Sequence, residues 1–332
     1  LKYLSKPLFV AAVAGLLSLP AVASPVAEIE TRSAVPVLPA GLVDAWWVDG
    51  SEGLDISGLS FCDGELLAVA DKVSERIFRL APESGRNAVA LETKADFARP
   101  PLPDDQPVLL KARIMHHVSV PLSMDFEGIT CDEAGIYLLS ERYNRISLLN
   151  QDERRGEWLP VRWSEAAKAR GFLQQFNGES EGLVKAGDDF WVALERDARG
   201  LLKLSAGDKV GWDFRAIPAV DGLDFRGRSE DIAGLAVYDG ALFTLERNAF
   251  AVCRRNFDNL KAQWCIHYRG IEEGPAYVYR ETSFGKGEGL AVSAQGIFVV
   301  LDNNGAGRVA APEDSRGLLL HLAFPELPME KR

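Results

Sequence analysis

Short apolar runs of strand length recur along the chain, and they come in pairs separated by turn-forming residues such as Asp63-Gly64. Five of these pairs follow one formula. A run containing Gly-Leu or Gly-Ile is followed, after a near-constant interval, by a second run that ends in an acid. The passages are DISGLSFCDGELLAVAD (55–71), DFEGITCDEAGIYLLSE (125–141), ESEGLVKAGDDFWVALE (179–195), DIAGLAVYDGALFTLE (231–246) and GEGLAVSAQGIFVVLD (287–302). The interval from glycine to terminal acid is 13 residues in all but the fourth passage, where it is 12. A long repeat built from short strands predicts an all-β fold, a five-bladed β-propeller.

The remaining pattern fills in this architecture. Residues 1–23 read as a signal peptide, with Lys2 and Lys6 before an apolar run and Ala21-Val22-Ala23 as a small-residue cleavage site. Residues 24–40 are an extended, proline-punctuated lead-in, and 41–327 form a single propeller domain. Its fifth repeat lacks a fourth strand, and the run GLVDAWWV (41–48) is the expected closing strand, which removes the exposed edges of an open array. Residues 96–121 read as an insertion, and a six-bladed alternative would need that insertion to hide a degenerate blade. The polar stretch 164–176 predicts a short helix.

Composition narrows the partners. A net charge of −11 excludes nucleic acid as the expected ligand, because phosphate backbones need a basic face. No segment after the leader is apolar enough to span a bilayer, so the expectation is a periplasmic or secreted monomer. Four cysteines in an exported chain invite disulfides. Cys253 and Cys265 flank a turn between adjacent antiparallel runs and are expected to bridge. Cys62 and Cys131 lie in consecutive blades, where a Cα separation beyond the roughly 7 Å limit leaves a pair of buried thiols as the favoured outcome over a bridge.

The repeat also predicts a site. In a propeller the first strand of each blade lines the channel and the second runs antiparallel to it, so the start of one and the end of the other share a channel mouth. The ends of the second strands carry Asp71, Glu141, Glu195, Glu246 and Asp302, and the residues before the strand-one glycines include Glu127, Glu181 and Glu288. Like charges about 6 Å apart repel by about 3 kcal/mol at an effective dielectric near 20. Such a ring needs compensation, either from Arg142, Arg196 and Arg247, which follow the strand-two acids, or from a bound cation. An all-oxygen donor set suits Ca²⁺, with Glu127, Glu181, Glu288, Glu141, Glu195 and Glu246 as candidate ligands. Salt bridges that staple neighbouring blades are the competing use of the strand-two acids. His116-His117 has no second metal ligand at suitable spacing, His267 and His321 fall in strands, and Trp191, Tyr137 and Phe243 read as inter-blade core. There is no Gly-x-Ser-x-Gly elbow, P-loop or dinucleotide fingerprint.

The phrases FEGIT…GIYLLSER, ESEGL…DDFWVALERD and GEGLAV…GIFVVLD resemble the phytase-like ("esterase-like activity of phytase") domain, and they are also similar to SdiA-regulated propeller proteins. The resemblance implies an exported propeller with calcium in its channel and a phosphoester-cleaving activity. It carries over to Glu127, Glu141, Arg142, Glu181, Glu195, Arg196, Glu246, Arg247 and Glu288.

Two functions follow as expectations. One is a metal-dependent phosphoesterase acting on a small phosphorylated molecule, with Glu127, Glu181 and Glu288 holding the cation and Arg142, Arg196 and Arg247 gripping phosphoryl oxygens. The other is a non-catalytic propeller that binds a small molecule or an envelope protein around a structural cation. Both predict that calcium raises the melting temperature of the mature protein. No shift at millimolar calcium, together with no metal on elemental analysis, removes the cation.

Overall fold

The computed structural model describes residues 34–103, 123–150, 155–175, 179–196, 198–205 and 211–327. The leader, residues 24–33 of the lead-in, residues 104–121 of the insertion and His116-His117 lie outside the described residues.

The repeated phrases fold as antiparallel sheets in which each strand pairs with the next. The first unit comprises β3 (Ile56–Cys62), β4 (Glu65–Ala70), β5 (Val73–Leu80) and β6 (Ala88–Asp96). The second comprises β7 (Phe126–Asp132), β8 (Gly135–Ser140), β9 (Arg145–Asn150) and β10 (Gly156–Trp158). The third comprises β11 (Ser180–Ala186), β12 (Asp189–Leu194), β13 (Gly200–Ser205) and β14 (Gly211–Ala216). The fourth comprises β15 (Gly234–Tyr238), β16 (Ala241–Glu246), β17 (Ala251–Arg255) and β18 (Ala262–His267). The fifth takes β19 (Gly287–Ser293), β20 (Gly296–Leu301) and β21 (Leu318–Leu322) from the end of the chain and β2 (Leu42–Asp49) from its beginning. The closing strand is antiparallel to β21, with Ala45 opposite Leu320 and Trp47 opposite Leu318.

Two further pairings were not legible in the sequence. Strand β2 also runs parallel to β6, and β1 (Val37–Pro39), within the lead-in, adds a parallel strand to β18. The expected helix is shorter than its polar stretch: α1 covers Ser164–Lys168. A second short helix, α2, covers Arg269–Glu272. The hairpin at Asp63-Gly64 has φ of 50° and 81°, the primed-turn geometry that matches strand twist.

The first strands of the five units close on one another in cyclic order, and the repeated glycines are the reason they can. A Cβ on Gly58 would lie 3.1 Å from the Cα of Gly128. One on Gly128 would meet Leu183 Cβ at 2.7 Å, one on Gly182 would meet the Leu235 nitrogen at 2.9 Å, and one on Gly234 would meet Leu290 Cβ at 3.1 Å. The ring closes where a Cβ on Gly289 would meet the Leu59 nitrogen at 2.9 Å. Between the units lie apolar seams. Trp191, Tyr137 and Phe243 are buried there, as expected, and Tyr137 meets Phe190 edge-on at 4.8 Å.

The convergence corrects the reading of the cysteines. Cys253 and Cys265 form the expected cross-strand bridge between β17 and β18. Cys62 and Cys131 are also bonded, at a Cα separation of 5.9 Å, and are not free thiols. Their strands approach at the inner edge of the ring, where Gly58 admits the neighbouring backbone. Two disulfides point to an oxidising compartment. Among the described residues no helix is long and apolar enough to cross a membrane.

Because the two nearest atoms facing Gly182 are backbone, Gly182→Ala is expected to cost about 1–3 kcal/mol of unfolding free energy. Gly270→Ala, whose Cβ would meet nothing within 4 Å, should be near neutral in the same denaturant titration.

Candidate functional site

A local device repeats at one end of the ring. In the first, second, third and fifth units, strand-one pairing slips around the residue before the glycine, leaving Ser57, Glu127, Glu181 and Glu288 within a bulge. A bulge turns an unpaired residue out of the ladder, which re-aims its side chain. In the same four units the acid after strand two donates its backbone N–H three residues upstream of the glycine. These bonds are Asp71 to Asp55 O (2.9 Å), Glu141 to Asp125 O (2.9 Å), Glu195 to Glu179 O (2.9 Å) and Asp302 to Lys286 O (2.8 Å). Each bond fixes the acid beside its bulge.

The result is a cavity of about 470 Å³ whose lining includes Asp55, Asp71, Asp125, Glu127, Glu141, Glu181, Glu195, Glu288 and Asp302. Arg196, Arg228 and Arg247 also line it. The predicted Glu127, Glu141, Glu181, Glu195, Glu288, Arg196 and Arg247 are therefore brought together. Arg142 is not in the lining. It stands behind Asp125, with Nη2 3.1 Å from Oδ2, and its Nε donates to Ser123 O at 2.7 Å.

Glu246 is a correction. It is fully buried outside the cavity, paired with Arg199 and with Arg255 at 2.6 Å, and it accepts a hydrogen bond from Thr244 Oγ1 at 2.9 Å. Burial opposes its ionisation, but Arg199 and Arg255 hold its carboxyl below the usual range. The cause is the 12-residue interval of the fourth repeat. Strand side chains alternate, so a slip of one residue turns Glu246 to the opposite face. The residue 13 positions after Gly234 is Arg247. An arginine thus occupies the place that an acid holds in the other four units.

Arg247 neutralises one side of the cavity. Its Nη1 reaches both oxygens of Glu288 at 2.8 and 2.7 Å, its Nε donates to Asp231 at 3.0 Å, and its Nη2 pairs with Glu195. Lys72 pairs with Asp55, and Arg196 lies 2.6 Å from Glu195.

Two carboxylate clusters remain, in which only Asp125, paired with Arg142, and Glu195, paired with Arg247 and Arg196, have a cationic partner among the described residues. Asp71, Asp125 and Glu127 each place an oxygen within 4.8 Å of the other two, and Glu141, Glu181 and Glu195 do the same. Burial, a hydrogen bond to Asp125 and the charges of Asp125 and Asp55 push Asp71 up to about 8. Burial and neighbouring carboxylates raise Glu141, Glu195 and Asp302 to about 7 each. Burial and the charges of Glu181, Glu141 and Glu288 hold Glu127 well above the ordinary range, and burial and the charge of Glu195 hold Glu181 there despite the opposing pull of Arg247.

The donor set fits a hard cation. All six atoms are carboxylate oxygens, the kind that calcium takes. Glu181 is only 7% exposed, yet among the described residues neither of its oxygens has a hydrogen-bond or ion-pair partner. Glu195 Oε2 is also buried without a hydrogen-bond partner. Buried polar groups are ordinarily satisfied, so Glu195 Oε2 is an exception, and Glu181 adds an unpaired carboxylate to the cavity lining beside it.

Sequence reasoning missed the loop-borne lining residues Gln175, Arg228, Asn248, Phe284 and Asn304. Asn248 adjoins Arg247 and could have been found from the displaced fourth repeat. The others lie outside the repeated phrase and carry no sequence signal.

Fold and site define the class: an all-β protein of propeller-like architecture with an acidic cavity at one end of its ring. No protein-family model matches the chain, and no curated protein matches it. Solved structures to which it is similar include glutaminyl cyclase of Myxococcus xanthus (13% identity over 88% of this chain and 100% of that one, TM-score 0.49). A streptogramin B lyase (12%, 84% and 97%, TM-score 0.41) and the PQQ-bound aldose sugar dehydrogenase of Streptomyces coelicolor (13%, 87% and 100%, TM-score 0.40) are others. At these values the likeness says nothing of activity. The phytase-like and SdiA-regulated resemblance rests on the repeated phrases alone.

The raised carboxyls set the sign of a pH dependence. A carboxyl whose folded pKa exceeds its unfolded value of about 4 binds its proton more tightly when folded. That contribution is complete below about pH 4 and is lost as pH rises through about 7 to 8. In chelator, the melting temperature is expected to fall between pH 5 and 8. Millimolar calcium should flatten or reverse the fall. A flat profile in chelator would contradict the electrostatics described above.

Proposed function

We propose that the protein is an exported five-bladed β-propeller whose acidic cavity binds divalent cations, calcium above all, and uses them to hold and hydrolyse a small phosphoester. The observation that carries the cation is the unpartnered carboxylate of Glu181, which lines the cavity with an oxygen within 4.8 Å of those of Glu141 and Glu195. Asp71, Asp125 and Glu127 would hold one ion, and Glu141, Glu181 and Glu195 another. A bound cation would supply charge to polarise a phosphoryl oxygen and lower the pKa of a coordinated water.

The protein's own groups then divide the work. The clustered carboxylates would give up their protons to a bound cation, and Glu127, unpaired by any arginine among the described residues, would hold the first ion with Asp71 and Asp125. Arg247 has its donors committed to Glu195, Asp231 and Glu288, so it orients ligands and does not grip phosphate. Arg196 lies at the lining and can add charge to a phosphoryl group beside Glu195. Periplasmic or secreted placement follows from the two disulfides together with the leader read from sequence.

One observation favours a second reading. Each carboxylate triad spans two adjacent units, Asp71 with the second unit's acids and Glu141 with the third's, so a cation there would staple blades as a disulfide does. In that case the propeller binds a small molecule or an envelope protein without chemistry. A phosphatase panel of monoesters, diesters and phytate, run with calcium or chelator, separates the two. Catalysis predicts calcium-dependent turnover that Glu181→Gln lowers by about 100-fold or more, since losing even a ligand's supporting partner costs about 10–100-fold. Silence across the panel, with a melting temperature that still falls on chelation, supports the structural cation instead.

A further inference from the structure

Arg228 stands apart from the other cations of the cavity. It is exposed and lines the cavity, yet among the described residues its guanidinium has no hydrogen-bond or ion-pair partner. Arg196 and Arg247, by contrast, are tied to carboxylates.

The backbone around Arg228 is anchored on both sides. Arg226 adopts a left-handed φ of 58°, and its guanidinium reaches Glu273 Oε1 at 3.1 Å and Thr282 O at 3.0 Å while lying over the Phe250 ring. The Arg228 N–H donates to Phe225 O at 2.9 Å. On the other side Ser229 O accepts from Asn248 Nδ2 at 3.2 Å, and Asn248 is itself held by Asp231. The loop spends a left-handed non-glycine conformation and a set of side-chain clamps on presenting one uncommitted guanidinium at the mouth of an acidic cavity. Phe284 also lines this mouth, its ring capped by the Lys286 ammonium. An uncommitted charged fork in the cavity lining suits an organic anion, because arginine binds carboxylate or phosphoryl oxygens two at a time.

We propose that Arg228 is a specificity residue: the ligand is a small phosphorylated compound with a second anionic group, whose phosphoryl end sits at the cations and whose other acid is taken by Arg228. This deepens the preceding reading and rests on it.

The test compares two ligands that share a skeleton. Glycerol 3-phosphate ends in a neutral hydroxymethyl group, and 3-phosphoglycerate ends in a carboxylate there. Calcium uptake is measured first by calorimetry, then each compound is titrated into calcium-loaded wild type and Arg228→Gln. Wild type is expected to prefer 3-phosphoglycerate by about tenfold, the scale of one charge-assisted contact. Arg228→Gln should abolish the preference while calcium uptake and melting temperature stay unchanged, and Arg228→Lys should restore it in part. A preference that survives in Arg228→Gln overturns the proposal, as does wild type that takes calcium yet binds both compounds equally or neither. Failure of wild type to take up calcium overturns the cation reading itself, and this proposal with it.

Discussion

The structure depends on how closely five strands can approach a common axis. At Gly58, Gly128, Gly182, Gly234 and Gly289 the backbone of the next unit lies where a side chain would otherwise stand. That closeness has three consequences. It brings first strands from distant parts of the chain into a closed ring, it brings Cys62 within bonding distance of Cys131, and it crowds the bulged residues before the glycines into one small volume. The acids are therefore close to one another because the strands are, and their repulsion is a cost of the architecture.

That cost is met unevenly around the ring. In the fourth unit the repeat is displaced by one residue, and Arg247 enters the cavity where an acid stands elsewhere. Its three carboxylate partners come from the third, fourth and fifth units, so one side of the mouth is neutralised by the protein itself. A buried guanidinium with several carboxylates is a costly arrangement to break, since removing one partner leaves the others uncompensated. On the opposite side Lys72 and Arg142 pair with Asp55 and Asp125, but among the described residues no arginine bridges several carboxylates as Arg247 does, and Asp71, Glu127, Glu141 and Glu181 are pushed upward. A divalent ion there would do for the first three units what Arg247 does for the last three.

This asymmetry bears on chemistry as well as stability. A ring neutralised all round would be a structural plug, and a ring neutralised nowhere would repel anionic ligands. The loop that presents Arg228 lies outside the repeats, on a segment whose sequence follows no blade rule. Under the proposal for Arg228, scaffold and recognition fall to different parts of the chain, as is common where loops carry specificity on a rigid frame.

The sequence by itself determined the period, the strand pairs, the closing strand GLVDAWWV and the identity of most cavity acids, because these depend on local alternation and on a spacing that repeats. It even contained the displaced fourth repeat, where an interval of 12 instead of 13 decides which of Glu246 and Arg247 faces the cavity. Only the tertiary structure decided what depends on distance between units: the Cys62–Cys131 bond, the β2–β6 and β1–β18 pairings, the pairing of Glu246 with Arg199 and Arg255, and the place of Arg228 at the mouth. Periodicity fixes which way a side chain points from its own strand. What it then meets is set by how neighbouring sheets and loops pack, and no spacing along one strand encodes that.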